Sequence, residues 1–168
     1  MLVSLKHMCG IIGYVGKKRA LPVLMQGLTN LEYRGYDSAG VCIQERDFVR
    51  VRASGKIGVL QARLVGRSLT GTSGIGHTRW ATHGVPDEGN AHPHFDCHER
   101  VAIVHNGIIE NYQELREELK GTGHTFTSQT DSEVLAHLIE SELATSSGII
   151  AVRRALRRVR GTYGLVVM

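Results

Sequence analysis

The sequence predicts an α+β layered domain whose sheets are mostly antiparallel. Short apolar runs follow one another as strands and are then broken by pairs of helical stripes, instead of alternating strand by strand with single helices. Glycine is abundant at 20 residues and proline scarce at 3, which supplies tight turns without Pro-rich linkers. With 168 residues, 42% of them hydrophobic and 21% charged, the chain has enough apolar material for one domain with a sizeable core and too much for a disordered one.

Taken in order, residues 10–15 form an apolar run bounded by glycines, a buried strand with Cys9 at its leading edge. Leu21, Leu24, Leu28 and Leu31 recur at helical spacing and predict a helix over 20–33, which the turn-forming residues 34–40 interrupt. Residues 40–44 and 48–53 read as two strands around a Glu45-Arg46-Asp47 hairpin turn, and Leu60, Leu64 and Val65 mark a short helix. A strand over 73–80 runs into a polar loop reaching residue 99, a length usually functional or disordered. Val101 to Val104 form a buried strand ending in His105-Asn106-Gly107. Asn111 with Glu114, and Thr130 with Glu133, have the spacing of capping boxes. The helices they open turn Tyr112, Leu115 and Leu119, then Val134, Leu135, Leu138 and Ile139, inward. Ile149, Val152, Leu156 and Val159 form the inner stripe of an arginine-rich helix, and residues 163–168 begin a strand, which suggests a piece of a longer protein.

Charge and motif counts exclude several functions. Arg153, Arg154, Arg157, Arg158 and Arg160 supply five positive charges in one acid-free segment, and without them the net charge of +4 becomes −1. That is a solvated helix face or a contact surface, not a nucleic-acid module, and no aromatics interleave it. No apolar run approaches the roughly 18 residues of a membrane span, residues 1–7 are too short for a signal peptide, and three unpatterned cysteines make no disulfide framework, so the expected location is the cytoplasm. His92, His94, Asp96, Cys97 and His98 crowd together, but not at zinc-finger spacing and with Pro93 constraining the loop, so no metal is expected.

Four loop segments carry residue types suited to amide chemistry. If the chain began at Cys9, its thiol would be a nucleophile and its α-amine, with a pKa of about 8, the base. The alternative is a small apolar core cysteine. Asn106 and Gly107 could offer two donors to an oxyanion, Arg79 could pair with a substrate carboxylate and Asp131 with an ammonium. Each has a plainer reading: a turn pair for Asn106-Gly107, a surface ion pair for Arg79, a core residue for Trp80, and a helix-dipole contact for Asp131.

Cys9-Gly10-Ile11-Ile12-Gly13, residues 31–40 with Arg-Gly-Tyr-Asp-Ser-Ala-Gly, residues 77–84 (His-Thr-Arg-Trp-Ala-Thr-His-Gly), residues 90–94, 105–111 and 130–134 occur in this order. Together they resemble the glutaminase domain of the isomerising glutamine–fructose-6-phosphate aminotransferases (glucosamine-6-phosphate synthases), class II glutamine amidotransferases of the N-terminal-nucleophile hydrolase superfamily. The two long motifs fit that family better than amidophosphoribosyltransferases. The resemblance implies a four-layer αββα sandwich over 9–168, incomplete at its C-terminal end, with the sugar isomerase domain absent and residues 1–8 missing from the mature enzyme; the favoured expectation is that Met8 is the true initiator and is trimmed, the alternatives being cleavage of the leader by another route or an inactive protein. It makes Cys9 the nucleophile, Asn106 and Gly107 the oxyanion hole, Arg79 and Asp131 the holders of the substrate's α-carboxylate and α-amino groups, Trp80, Thr82 and His83 the pocket wall, and Arg34 a support. The implied substrate is L-glutamine, hydrolysed through a γ-glutamyl thioester with no cofactor, in a full-length protein expected to be a homodimer. An inert truncated fragment is the rival expectation.

Overall fold

The computed structural model describes residues 9–81 and 84–168, so the expected leader 1–8, Thr82 and His83 lie outside the described residues. The described chain stacks helices, sheet, sheet and helices. The first sheet has strand order β1-β4-β2-β3, from β1 (Gly10–Val15), β2 (Ser38–Gln44), β3 (Phe48–Ser54) and β4 (Ser73–Arg79). Its outer face is covered by α1 (Ala20–Asn30) and α2 (Ile57–Leu64). The second sheet has order β5-β6-β7, from β5 (His94–Phe95), β6 (Ala102–Ile109) and β7 (Gly161–Val167), under α3 (Tyr112–Gly121), α4 (Glu133–Leu143) and α5 (Gly148–Leu156). All strand pairs are antiparallel.

Three cores follow from the two-residue period of the strands. Ala39, Val41 and Ile43 of β2 pack against Leu24, Leu28 and Leu60 of the outer helices. Cys42 on the opposite face joins Ile75, Phe95, Ala102 and Val104 between the sheets. Ile103 and Ile109 of β6 turn away from that interface onto Leu135 and Leu138 of α4. Because both faces of β2 are covered, it is buried from Ser38 to Ile43 with no polar alternation. Gly76 lets α1 ride close to β4, since a Cβ there would lie 3.1 Å from Ile12 Cγ2 and 3.2 Å from Leu28 Cδ1. Leu135, fully buried, anchors the third core; Leu135→Ala is expected to cost about 2–5 kcal/mol in a denaturant titration. An unchanged midpoint would contradict that packing.

Several local expectations give way to tertiary contacts. α1 stops at Asn30 and a 3-10 turn spans Glu32–Arg34, leaving Leu31 and Tyr33 outside the helix. Val65 lies beyond α2 and is exposed. The 81–99 connection is neither free nor disordered over its described part: it contains β5, Arg52 Nη1 donates to the Gly89 and Ala91 carbonyls at 3.1 and 3.0 Å, and Asn90 Oδ1 accepts the Gln129 N–H at 2.7 Å. Neither capping box forms. Asn111 instead bonds the Arg158 carbonyl and the Arg160 N–H, and the Glu133 carboxylate takes the Thr127 and Ser128 N–H groups, each at 2.8 Å. Ile149 is 72% exposed, not inward, because α5 meets α4 through the fully buried Ala151 and Ala155. α5 ends at Leu156, and three of the arginines pair with carboxylates: Arg154 with Glu142, Arg158 with Glu118, Arg160 with Glu114. Among the described residues no helix is long and apolar enough to cross a membrane.

Candidate active site

The register Gly10↔Thr78 between β1 and β4 sets Cys9 one step past the ladder, beside Arg79 and Trp80. The Gly10 N–H donates to Thr78 Oγ1 at 3.0 Å and fixes that end of the strand. Cys9 Sγ accepts the Trp80 N–H at 3.1 Å, and the Cys9 carbonyl accepts Asn106 Nδ2 at 3.0 Å and Arg34 Nη1 at 3.5 Å. Asn106 arrives from the other sheet because Ala102, Val104 and Asn106 share the face of β6 that looks at the first sheet.

The Asn106 amide is held in one orientation. His77 Nε2 on β4 lies 2.8 Å from Asn106 Oδ1 and 3.1 Å from the His105 carbonyl. Burial holds the His77 pKa down to about 4, so at neutral pH the ring is neutral and donates its Nε2–H to these oxygens, turning the amide NH2 toward Cys9. Gly107, with φ of +132°, has no room for a side chain: a Cβ would sit 2.2 Å from the Thr162 carbonyl oxygen of β7. Asn106-Gly107 is therefore the middle of a strand, paired with Gly164 and Tyr163, and not a turn.

Burial pushes the Cys9 thiol up from its ordinary value, while the Trp80 N–H and the Arg79 charge pull it down and recover only part of the shift. The thiol is protonated at neutral pH and needs a base to become a nucleophile. Arg79 is buried, not a surface residue; its guanidinium reaches the Val85 and Gly84 carbonyls at 3.4 and 3.5 Å and lies 3.9 Å from Asp37. Trp80 is 39% exposed at the rim instead of in the core. Asp131 is buried against β6, where Oδ2 accepts the Ile109 N–H at 2.8 Å. Contact thus gathers Cys9, Arg34, Trp80 and Asn106, with Gly107 and Arg79 adjacent and Asp131 bonded to Ile109, two residues along β6 from Gly107.

Three participants carry no role in the sequence reading. His77 orients Asn106, Thr78 receives the Gly10 N–H, and Asp37 Oδ2 accepts the Ala81 N–H at 2.6 Å, securing the chain after Trp80. His77 had a readable signal, since it lies two residues before Arg79 and so on the same strand face. The Trp80 N–H had none, because a backbone donor is the same in every residue but proline.

Two antiparallel sheets stacked between helix layers, with a cysteine heading a strand and amide donors beside it, define the N-terminal-nucleophile hydrolase type of fold. A model of the glutamine amidotransferase domain matches residues 65–167, more than half of the chain. The chain belongs to that family. Glutamine–fructose-6-phosphate aminotransferases (isomerizing) from Pyrococcus horikoshii and Mesorhizobium japonicum are 53% and 55% identical to it over 164 and 163 residues, 96% of this chain in each case. It spans only 27% and 26% of those relatives' lengths. Among solved structures, the glutamine phosphoribosylpyrophosphate amidotransferase of B. subtilis, complexed with ADP and GMP, aligns with a TM-score of 0.77 at 27% identity, covering 94% of this chain and 34% of that one. An allosteric regulatory enzyme of purine biosynthesis gives 0.79 at 27% identity, covering 94% and 35%.

Proposed function

We propose that this domain hydrolyses the side-chain amide of L-glutamine, as the ammonia-releasing part of an isomerising glutamine–fructose-6-phosphate aminotransferase. The observation that carries the reading is Cys9 held between the Trp80 N–H and the Asn106 amide, in a chain of the glutamine amidotransferase family. Met8 is the initiator and is trimmed, so the mature chain begins at Cys9 and the freed Cys9 amine takes the thiol proton. The thiolate attacks the amide carbon, and Asn106 Nδ2, kept pointing toward Cys9 by His77, donates to the new oxyanion with the Gly107 N–H as second donor. The C–N bond breaks as the amine's proton passes to the departing ammonia, leaving a γ-glutamyl thioester. Water, deprotonated by the same amine, then releases glutamate and restores the thiol.

Arg79 pairs with the glutamine α-carboxylate and Asp131 with its α-ammonium, while Trp80 lines the pocket and Arg34 steadies the Cys9 carbonyl. Ammonia is used by a sugar isomerase domain elsewhere in a full-length cytoplasmic homodimer. Glutamate release from glutamine by a chain whose intact mass shows Cys9 at its head tests the reading; no release from that chain would defeat it. Arg79→Gln is expected to raise KM for glutamine about tenfold or more, the equivalent of about 1.5–3 kcal/mol for a charged hydrogen bond, with a smaller change in kcat. Unchanged steady-state KM would remove Arg79 from the carboxylate site.

A further inference from the structure

We propose that Cys97, His124, His137 and Glu140 form a structural zinc site that ties the β5–β6 turn to α4. Their four ligand atoms, one from each side chain, all lie within 4.8 Å of one another. Cys97 Sγ is 3.5 Å from His137 Nδ1 and 3.8 Å from His124 Nδ1, and Glu140 Oε2 is 3.3 Å and 2.8 Å from the same two nitrogens. A tetrahedral zinc with bonds of about 2.3 Å to sulfur and about 2.0 Å to nitrogen or oxygen separates its S and N ligands by about 3.5 Å and its N and O ligands by about 3.3 Å. The observed edges already approximate that figure. One thiolate and one carboxylate would balance the dication, with two neutral imidazoles completing the set.

The surroundings fit the same purpose. The Thr125 N–H donates to Cys97 Sγ at 3.4 Å and the Cys97 N–H to Glu140 Oε2 at 3.2 Å, so sulfur and carboxylate are both held in place. The other Glu140 oxygen is occupied by His98 at 2.5 Å, which leaves Oε2 as the single ligand oxygen. His137 Nε2 is buried, has no hydrogen-bond partner among the described residues, and faces Glu133 Oε1 at 3.7 Å. A carboxylate behind the far nitrogen is the arrangement that fixes the tautomer of a metal-binding histidine. Four protein ligands close the coordination sphere, so the metal's role is a staple and not a catalyst.

This revises the expectation that the chain holds no metal, and by a different set of residues. His92 and His94 of the crowded segment turn inward, His92 packing on His77 with ring centroids 4.1 Å apart and His94 meeting His92 edge-on at 4.5 Å. Of the five residues in that segment only Cys97 is a ligand; the others come from the connection just after α3 and from one turn of α4, distant in sequence.

The test uses the tag-free 168-residue chain, native and with Cys9→Ala so that the nucleophile cannot supply the metal-binding thiol. After zinc loading and desalting, metal analysis is expected to find one zinc per chain in both. Cobalt(II) in its place is expected to give tetrahedral d–d bands and a thiolate charge-transfer band. Cys97 is exposed and His124 half-buried, so Cys97→Ser and His124→Ala are expected to fold, by circular dichroism, yet lose most of the zinc. Cys97→Ser should also lose the charge-transfer band and the zinc-dependent rise in melting temperature. Zinc below about a tenth of an equivalent in the native chain, or content unchanged in Cys97→Ser, would overturn the proposal and leave the four side chains a hydrogen-bonded cluster.

Discussion

Cys9→Ala is expected to lower glutamate release from glutamine by about 10⁴-fold or more, with the melting temperature little changed. Cys9 heads a strand at an edge of its sheet and is only partly buried, so the missing sulfur opens no core cavity. The loss is of the nucleophile itself, for which water in the same pocket is a poor substitute. A chain that keeps Met8 bonded to Cys9 is expected to be comparably inactive although its thiol is present. Burial raises that thiol, and with the amine locked in a peptide bond no group on Cys9 remains to accept the proton. Intact-mass analysis paired with a glutamate assay decides both; strong turnover by the Met8-bearing chain would put the base elsewhere.

Asn106→Ala is expected to lower kcat by about 10²–10³-fold with a small change in KM, the signature of a donor used for the oxyanion more than for bound substrate. The side chain is partly exposed and its hydrogen bonds are to the Cys9 carbonyl and the His77 ring, so removal frees His77 Nε2 to keep its second acceptor, the His105 carbonyl, at 3.1 Å. The fold should therefore survive, which a thermal melt checks. Asn106→Asp replaces the donor with a negative charge and is expected to be at least as damaging. If either variant kept near-native kcat, the oxyanion would have to be held by backbone donors alone.

How far the sequence could be read depended on what set each feature. The buried strands were legible because short apolar runs mark them, as Val101 to Val104 illustrate, and the fold then divides Ile103 and Val104 between opposite faces of β6. Cys9, Asn106 and Arg79 stood out in the sequence because amide chemistry calls for those functional groups, and the fold brings Cys9 and Asn106 into contact with Arg79 adjacent. Features set by distant partners were not. Asn106-Gly107 has the composition of a turn, yet β7 pairs with it across more than 50 residues of chain and extends β6 to Ile109. Asn111 and Glu133 have the spacing of helix caps, but their side chains find stronger partners outside their own helices. Val152, Leu156 and Val159 pack on the third core as their spacing predicts, whereas Ile149 is exposed and the fully buried residues of α5 are Ala151 and Ala155, whose small side chains permit close helix approach. The loop after Trp80 looked free because its tethers, Arg52 and Gln129, lie far away along the chain.

The order β1-β4-β2-β3 places the strand that Cys9 heads at an edge, while Trp80 follows β4, which is paired on both sides, and Asn106 lies in β6 where it pairs with Gly164 of β7 beyond the reach of β5. Rigidity is consequently graded across the site. Edge strands can fray without unmaking a sheet, whereas a strand paired on both sides opens only at a much larger free-energy cost. In the proposed reaction the residue that would surrender a proton, form a covalent bond and break it again therefore has latitude, while the Trp80 N–H beside its sulfur is anchored by the doubly paired β4. Electrostatic preparation and covalent accommodation are divided between two strand positions, so neither has to be traded for the other.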